Sequence, residues 1–148
     1  MPHLVANAIL IPEMDRMLRE GREVHFTPSG VSMRPFIEGG RDSVTLERPQ
    51  EVKVGDILLC RVAPDRFVLH RLIAIDGDTL MLMGDGNLMG TEGCSKADVI
   101  GRVISVTRPN GRSHKPGRGR WWYRLLPVRK WLLKAYRKKL KWLGGIKN

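Results

Sequence analysis

The stretch "FVLHRLIAIDGDTLMLM", Phe67–Met83, contains two runs of β-forming residues separated by a turn signal. Aspartate followed by glycine readily takes the positive φ angles of a tight turn, so Asp76-Gly77 predicts that the two runs pair as a hairpin. The first run carries His70 among apolar residues, and a buried imidazole needs a polar partner. That partner is either a backbone carbonyl, as in an ordinary core histidine, or a group with which the imidazole does chemistry.

On either side of the hairpin the chain continues in short β-forming segments bounded by Gly, Pro and Asp turns. These further predicted strands are Glu23–Thr27, Ser43–Glu47, Asp56–Val62 and Val99–Thr107. Before them, apolar residues recur at helical spacing and predict a short helix over Ile11–Glu20, with Pro12 in its first turn and Gly21 as its cap. The sequence therefore predicts a compact, mainly-β body with a short N-terminal helix.

Charge divides the chain into two unequal parts. The formal net charge of the 148 residues is +11, from 26 basic and 15 acidic residues, but every acidic residue precedes Arg108. The mildly acidic region 1–107 is predicted to be the folded domain. The region 108–120 has no apolar face and is predicted to be a solvated basic linker, followed by a Trp-rich basic tail over 121–148.

The tail predicts a basic amphipathic helix over Val128–Leu143, with leucines on one side and lysines and arginines on the other. Tryptophan and lysine together suit an anionic membrane surface. Packing on the body or on a partner protein, and binding to nucleic acid, are the alternatives. The candidate contact residues of the tail are Trp121, Trp122, Trp131, Lys134, Arg137 and Lys138.

Two features predict a cytoplasmic protein, peripheral on the membrane if the tail binds lipid. No run approaches the 18 or more apolar residues of a membrane-spanning helix. Cys60 lies in an apolar strand and Cys94 in a polar loop, a pattern of two free thiols rather than of a disulfide framework or a zinc site.

Two further residues could carry chemistry with His70. In "PSGVSM", the glycine at 30 lets the chain turn sharply, so Ser32 is either a turn serine or a nucleophile that faces a substrate carbonyl. In "MGDGN", Asp85 is either a turn former or an acceptor for one imidazole nitrogen, which would leave the other nitrogen free to take the serine proton.

The order of four motifs, "SGVSMRPFI", "VGDILLCRV", "VLHRLIAI" and "MGDGN", resembles the successive boxes of the type I signal peptidases and the LexA-like self-cleaving repressors. The match covers about Thr27–Thr107. Common bacterial signal peptidases and LexA use lysine as general base, whereas the endoplasmic-reticulum and archaeal type has histidine followed by arginine. His70-Arg71 is similar to that serine–histidine variant.

The resemblance implies a signal-peptidase-like β-fold and a serine endopeptidase that needs no metal or cofactor. It implies Ser32 as nucleophile, His70 as general base and Asp85 as the residue that orients the histidine. Ser29, Gly30 and Met33 are the candidate oxyanion and substrate-binding residues. A leader or signal-like peptide is the implied substrate.

Two departures from the family qualify the resemblance. Gly30 stands where many relatives have a hydroxyl residue at the oxyanion hole, and the roughly thirty residues before Ser32 contain no membrane anchor. Because an ordinary histidine titrates near about 6.5, a histidine base predicts loss of activity below roughly pH 6. The alternative is a non-catalytic β-rich module recruited by its basic tail.

Overall fold

The computed structural model describes the backbone of residues 2–30, 32–86, 90–117, 119 and 129–142, and the side chains of 10–30, 32–86, 90–117, 119 and 131–139. The described helices are α1 (Pro2–Arg19) and α2 (Arg129–Trp142), with a short 3-10 helix at Lys96–Asp98. The described strands are β1 (Val24–Phe26), β2 (Ser43–Glu47), β3 (Ile57–Ala63), β4 (Arg66–Asp76), β5 (Thr79–Met83), β6 (Glu92–Ser95), β7 (Val99–Thr107) and β8 (Ser113–His114).

The protein is mainly β, as predicted, and its antiparallel sheet curls into a half-barrel. Neighbouring strands follow the order β1-β2-β7-β3-β4-β5-β6, and β8 pairs with β7. Register shifts interrupt the pairing of β2 with β7, of β3 with β4 and β7, and of β4 with β5. Because a bulge bends its strand and increases the local twist, these shifts favour a curled sheet over a flat one.

The predicted central hairpin is present as β4 and β5, with its loop one residue later than expected. Asp76 still pairs with Thr79, so the two loop residues are Gly77 and Asp78. Gly77 has a φ of 60°, which a residue without a Cβ adopts at no steric cost. Along β5, Leu80 and Leu82 are fully buried whereas Met81 is exposed. Successive side chains therefore alternate between the core and the surface, as in a strand that is buried on one face.

Strand β3 is covered on both faces and joins two apolar clusters. Ile57 and Leu59 belong to a cluster that includes the inner face of α1 and residues of β2 and β7. Leu58 and Cys60 belong to a second cluster with residues of β4, β5 and β7. Each buried leucine or isoleucine contributes about 1.5–3 kcal/mol, so β3 is the element on which both parts of the core depend.

Helix α1 begins earlier than the sequence predicted. It starts at Pro2 rather than Ile11, so Pro12 lies inside the helix and not in its first turn. A proline in a helix interior forfeits one backbone hydrogen bond, and the helical residues on both sides continue around it. The predicted end is confirmed, because the helix stops at Arg19 and Gly21 follows with a φ of 87°.

Part of the predicted linker extends the sheet. Val106 pairs with His114 and Thr107 with Ser113, so 108–114 is the end of a hairpin rather than a wholly solvated connection. Helix α2 matches the predicted tail helix to one residue at each end. Trp121 and Trp122 lie outside the described residues. No helix in the described part of the chain is long and apolar enough to cross a membrane.

Candidate active site

The loop that connects β1 to β2 carries Ser32 and closes on itself through backbone hydrogen bonds. The Gly40 N–H donates to the Pro28 carbonyl at 2.8 Å, and the Gly39 N–H donates to the Gly30 carbonyl at 3.1 Å. A Cβ on Gly39 would lie 2.0 Å from the Gly30 oxygen, so only glycine permits this approach. The closure holds both arms of the loop together beside Ser32.

Ser32 and His70 lie within hydrogen-bond distance of each other. The distance from His70 Nε2 to Ser32 Oγ is 3.0 Å, although the two residues are 38 positions apart in the chain. His70 pairs with Leu58 in the β3–β4 ladder and is 6% exposed, so the sheet holds the ring with little access for water. The predicted pairing of these two residues is therefore present.

The partner of the second imidazole nitrogen is Glu92, which sequence reasoning missed. Glu92 Oε1 lies 2.6 Å from His70 Nδ1, and Arg66 is near the other carboxylate oxygen at 3.7 Å. A carboxylate accepts the Nδ1 proton, which leaves the Nε2 lone pair directed at the Ser32 hydroxyl. Glu92 is thus the residue that selects the tautomer with a basic nitrogen towards the serine.

Asp85 was predicted to orient His70, and the structure corrects this assignment. Its fully buried carboxylate is bound in two-point fashion by Arg71, with Nε–Oδ1 and Nη2–Oδ2 distances of 2.8 and 2.7 Å. Arg71 also donates to the carbonyls of Gly55 and Gly117. Because a buried guanidinium needs a charged partner, the carboxylate of the "GDGN" motif neutralises Arg71 while Glu92 takes the place on Nδ1.

The Asp85 turn still supports the serine loop, through its backbone. The Gly86 N–H donates to the Ser32 carbonyl at 2.7 Å, and the Asp85 N–H donates to Met33 Sδ at 3.4 Å. The ion pair of Asp85 with Arg71 therefore fixes the turn that holds Ser32 in position. Met33 itself is buried and does not offer a polar group to the cleft.

A cleft of about 310 Å³ opens beside Ser32. Its lining comes from α1, β1, the serine loop, β3 and β4, presents polar and apolar surface in similar amounts, and includes the predicted residues Ser29, Gly30 and Met33. A Cβ built on Gly30 would meet nothing within 4 Å, so this side of the cleft is open. Ser29, Gly30 and Met33 thus lie with Ser32 in the lining of one cleft.

Strand β4 has two halves with different surroundings. The described pairing with β5 begins at Arg71 and runs to Asp76, whereas Phe67–Leu69 pairs only with β3 among the described strands and lines the cleft. The outer edge of Phe67–Leu69 thus lies next to the serine loop. An extended peptide in the cleft could hydrogen-bond to such an edge as an added strand.

Charged residues also stabilise the far end of the serine loop. Arg34 binds Glu38 at 2.8 and 3.0 Å, and the Asp42 carboxylate accepts from the Glu38 N–H and from Arg41 Nε at 2.9 and 2.8 Å. Burial alone would raise the pKa of Asp42, but these hydrogen bonds and the positive charge of Arg41 outweigh it and lower that pKa. Asp42 is therefore charged in the folded protein and caps the loop.

The tail helix lies against this same end of the loop. Leu133 is buried and Tyr136 donates to Glu38 Oε1 at 3.4 Å, so the side of α2 that carries these two residues contacts the body, whereas Leu132, predicted on the same side, is exposed. Trp131 is 59% exposed, and the other described candidates of the tail, Lys134, Arg137 and Lys138, are also exposed. The sequence left three roles open for the tail. Packing on the body is the role of the inner face of α2.

Within the described residues, no group of three or more His, Cys, Asp or Glu side chains could hold a metal ion. The Ser32–His70–Glu92 arrangement has the parts of a nucleophilic site: a hydroxyl, a base with its lone pair towards that hydroxyl, and an anion behind the base. No protein-family model matches the chain, and no curated protein matches it.

Proposed function

We propose that the protein is a serine endopeptidase of the signal-peptidase-like class, with Ser32 as nucleophile, His70 as general base and Glu92 as the residue that orients the base. One observation carries the proposal: Ser32 Oγ lies 3.0 Å from His70 Nε2, and Glu92 Oε1 lies 2.6 Å from Nδ1 of the same ring. A hydroxyl and a carboxylate on the two nitrogens of one buried imidazole are the partners that proton transfer requires, whereas a turn serine needs neither of them.

In the proposed reaction, Ser32 Oγ attacks the scissile carbonyl carbon while His70 Nε2 takes the hydroxyl proton. Glu92 stabilises the positive charge that the imidazolium gains. The C–N bond then breaks, the imidazolium gives its proton to the leaving amine, and an acyl ester on Ser32 remains. Water that loses a proton to His70 attacks the ester carbon, the bond from that carbon to Ser32 Oγ breaks, and the imidazolium returns its proton to Oγ, which releases the new carboxyl end and restores the enzyme.

The oxyanion of the tetrahedral intermediate needs hydrogen-bond donors at the mouth of the cleft. Gly30 carries no hydroxyl, so the Ser32 N–H and the Ser29 hydroxyl are the donors that we propose. Ser29 lines the cleft on the same loop and is exposed. Replacing Ser29 with alanine should lower kcat by roughly 100- to 1000-fold if its hydroxyl stabilises the oxyanion.

We propose an extended peptide with apolar side chains next to the scissile bond as the substrate. The apolar walls of the cleft include Phe26, Ile37, Leu59 and Phe67. Such walls favour apolar side chains, because a charged one would lose its hydration there. A leader or signal-like segment has this composition, and the outer edge of β4 supplies backbone groups that can pair with it.

The test is cleavage of a peptide library and labelling with a fluorophosphonate, which reacts with activated serines. Wild type should cleave and be labelled, and Ser32→Ala or His70→Ala should lower cleavage by roughly 10⁴-fold or more. Ser113→Ala, at an exposed position in β8, is the matched control and should behave as wild type. Equal cleavage by Ser32→Ala and wild type refutes the mechanism. Peptide binding without cleavage or labelling in wild type supports the non-catalytic module instead.

A further inference from the structure

Helix α2 packs one face on the body, and another part of its surface is exposed. The inner face includes Leu133, which is buried, and Tyr136, whose hydroxyl contacts Glu38. Trp131 and Leu132, two adjacent large apolar side chains, are 59% and 40% exposed. The outward surface of α2 thus exposes apolar area to solvent.

The same surface is strongly positive. Lys134, Arg137, Lys138 and Lys139 are all exposed, and the helix contains no acidic residue. Lys134 Nζ lies over the Trp131 ring, 5.3 Å from its centroid, so the cation and the indole are in contact. All 15 acidic residues of the chain precede Arg108, and the positive field of the tail is therefore not neutralised from within its own segment.

We propose that the outward face of α2 binds an anionic phospholipid surface, with Trp131 and Leu132 at the headgroup boundary and the lysines on lipid phosphates and carboxylates. The combination of positive charge and exposed apolar side chains favours a lipid bilayer over nucleic acid. Phosphate groups of nucleic acid would satisfy the lysines equally well, but they offer no apolar medium for an exposed leucine. A bilayer interface satisfies the charges, the indole and the leucine together.

The position of α2 gives this binding a consequence for the cleft. Tyr136 contacts Glu38, and Glu38 is bound by Arg34 in the loop that carries Ser32. A bilayer on the outer face of α2 is therefore separated from the serine loop by the thickness of a single helix, about 10 Å. Peptides that emerge from or lie on the membrane are then the ones nearest to the site. Lipid binding does not require the proposed peptidase activity, so the two proposals are tested separately.

The experiment is co-sedimentation of the full chain with phosphatidylcholine vesicles, with and without phosphatidylserine. Wild type should pellet with the anionic vesicles and stay in solution with the neutral ones, and binding should weaken steeply as salt rises. Lys134→Gln/Lys138→Gln removes two charges and should weaken partitioning by roughly 30-fold, because each basic residue near an anionic surface contributes about fivefold. Trp131→Ala should weaken it several-fold without changing the salt dependence.

The matched control is Lys53→Gln/Lys96→Gln, which removes the same charge at two exposed positions of the body and should bind as wild type does. Equal losses in the two double variants would mean that net charge alone attracts the protein, and the proposal fails. It also fails if anionic vesicles do not bind the wild type while duplex DNA or RNA does. Circular dichroism checks that α2 stays helical in each variant.

Discussion

Glu92→Gln is the substitution that most sharply tests the proposed site. The carboxylate accepts the Nδ1 proton of His70 at 2.6 Å and is largely buried, with 14% of the side chain exposed. Glutamine has nearly the same volume but no charge, and its amide nitrogen can donate to Nδ1. That contact favours the tautomer with the proton on Nε2, which can no longer accept the Ser32 proton.

The expected loss follows from the charge that Glu92 supplies. Two unit charges about 4 Å apart, as the centres of a carboxylate and an imidazolium in contact are, interact by about 4 kcal/mol at the effective dielectric of a protein surface. Partial exposure of Glu92 reduces this to about 2–4 kcal/mol, so kcat should fall by roughly 30- to 1000-fold. Glu92→Asp keeps the charge but moves the carboxylate away from His70 by the length of one methylene. Its kcat should lie between those of wild type and Glu92→Gln.

The assay is single-turnover cleavage of the best library peptide, together with the rate of fluorophosphonate labelling at Ser32. Glu23→Gln makes the same chemical change at an exposed position before β1 and should leave both rates at the wild-type value. Thermal unfolding of each variant separates a loss of activity from a loss of folded protein. If Glu92→Gln keeps kcat within threefold while Ser32→Ala abolishes it, Glu92 does not orient the base and the reasoning is wrong.

Three further predictions concern other buried or paired groups. Asp85→Asn leaves the fully buried Arg71 without its counter-charge and should lower the free energy of unfolding by about 3–5 kcal/mol, measured by urea titration; a change below 1 kcal/mol would contradict this. The hydrogen bond from Cys60 lowers the pKa of the Cys94 thiol, so Cys60→Ala should move the pH midpoint of Cys94 alkylation upward, and an unmoved midpoint would exclude the contact. Because the pKa of Asp42 is lowered in the folded state, its stabilisation is present above the ordinary aspartate range and is lost as the pH falls through the folded value. Asp42→Asn should therefore destabilise the protein at pH 7 but barely at acidic pH, and equal destabilisation at both would contradict this.

Much of the fold was predictable because its signals are local. Alternation of buried and exposed residues, a glycine in the hairpin loop and the change to helical spacing in the tail are properties of a few consecutive residues. Strand β6 was missed because "EGCS" carries neither alternation nor β-branched residues, and its register against β5 holds it in the sheet. The start of α1 was misplaced because Pro12 locally resembles the first turn of a helix, whereas the helix begins at Pro2 and runs through it.

In the site, Ser32 and His70 were predictable from the order of their motifs, whereas the third residue was not. The acidic residue that reaches Nδ1 is set by the curl of the sheet and by the pairing of Leu82 with Glu92, 22 residues beyond His70. No local pattern encodes that distance. The aspartate in the conspicuous "GDGN" turn was the natural candidate, but its carboxylate is bound by the buried guanidinium of Arg71, which needs a counter-charge.

The amino-acid sequence by itself determined a mainly-β body, a basic helical tail and a serine and histidine in a suggestive order, because each depends on residue type and short-range spacing. Tertiary structure alone decided which carboxylate stands behind the histidine and which face of the tail helix is covered. Both depend on side chains that meet across strands and loops far apart in the chain. Their energies come from burial and charge pairing, which exist only once the sheet has curled.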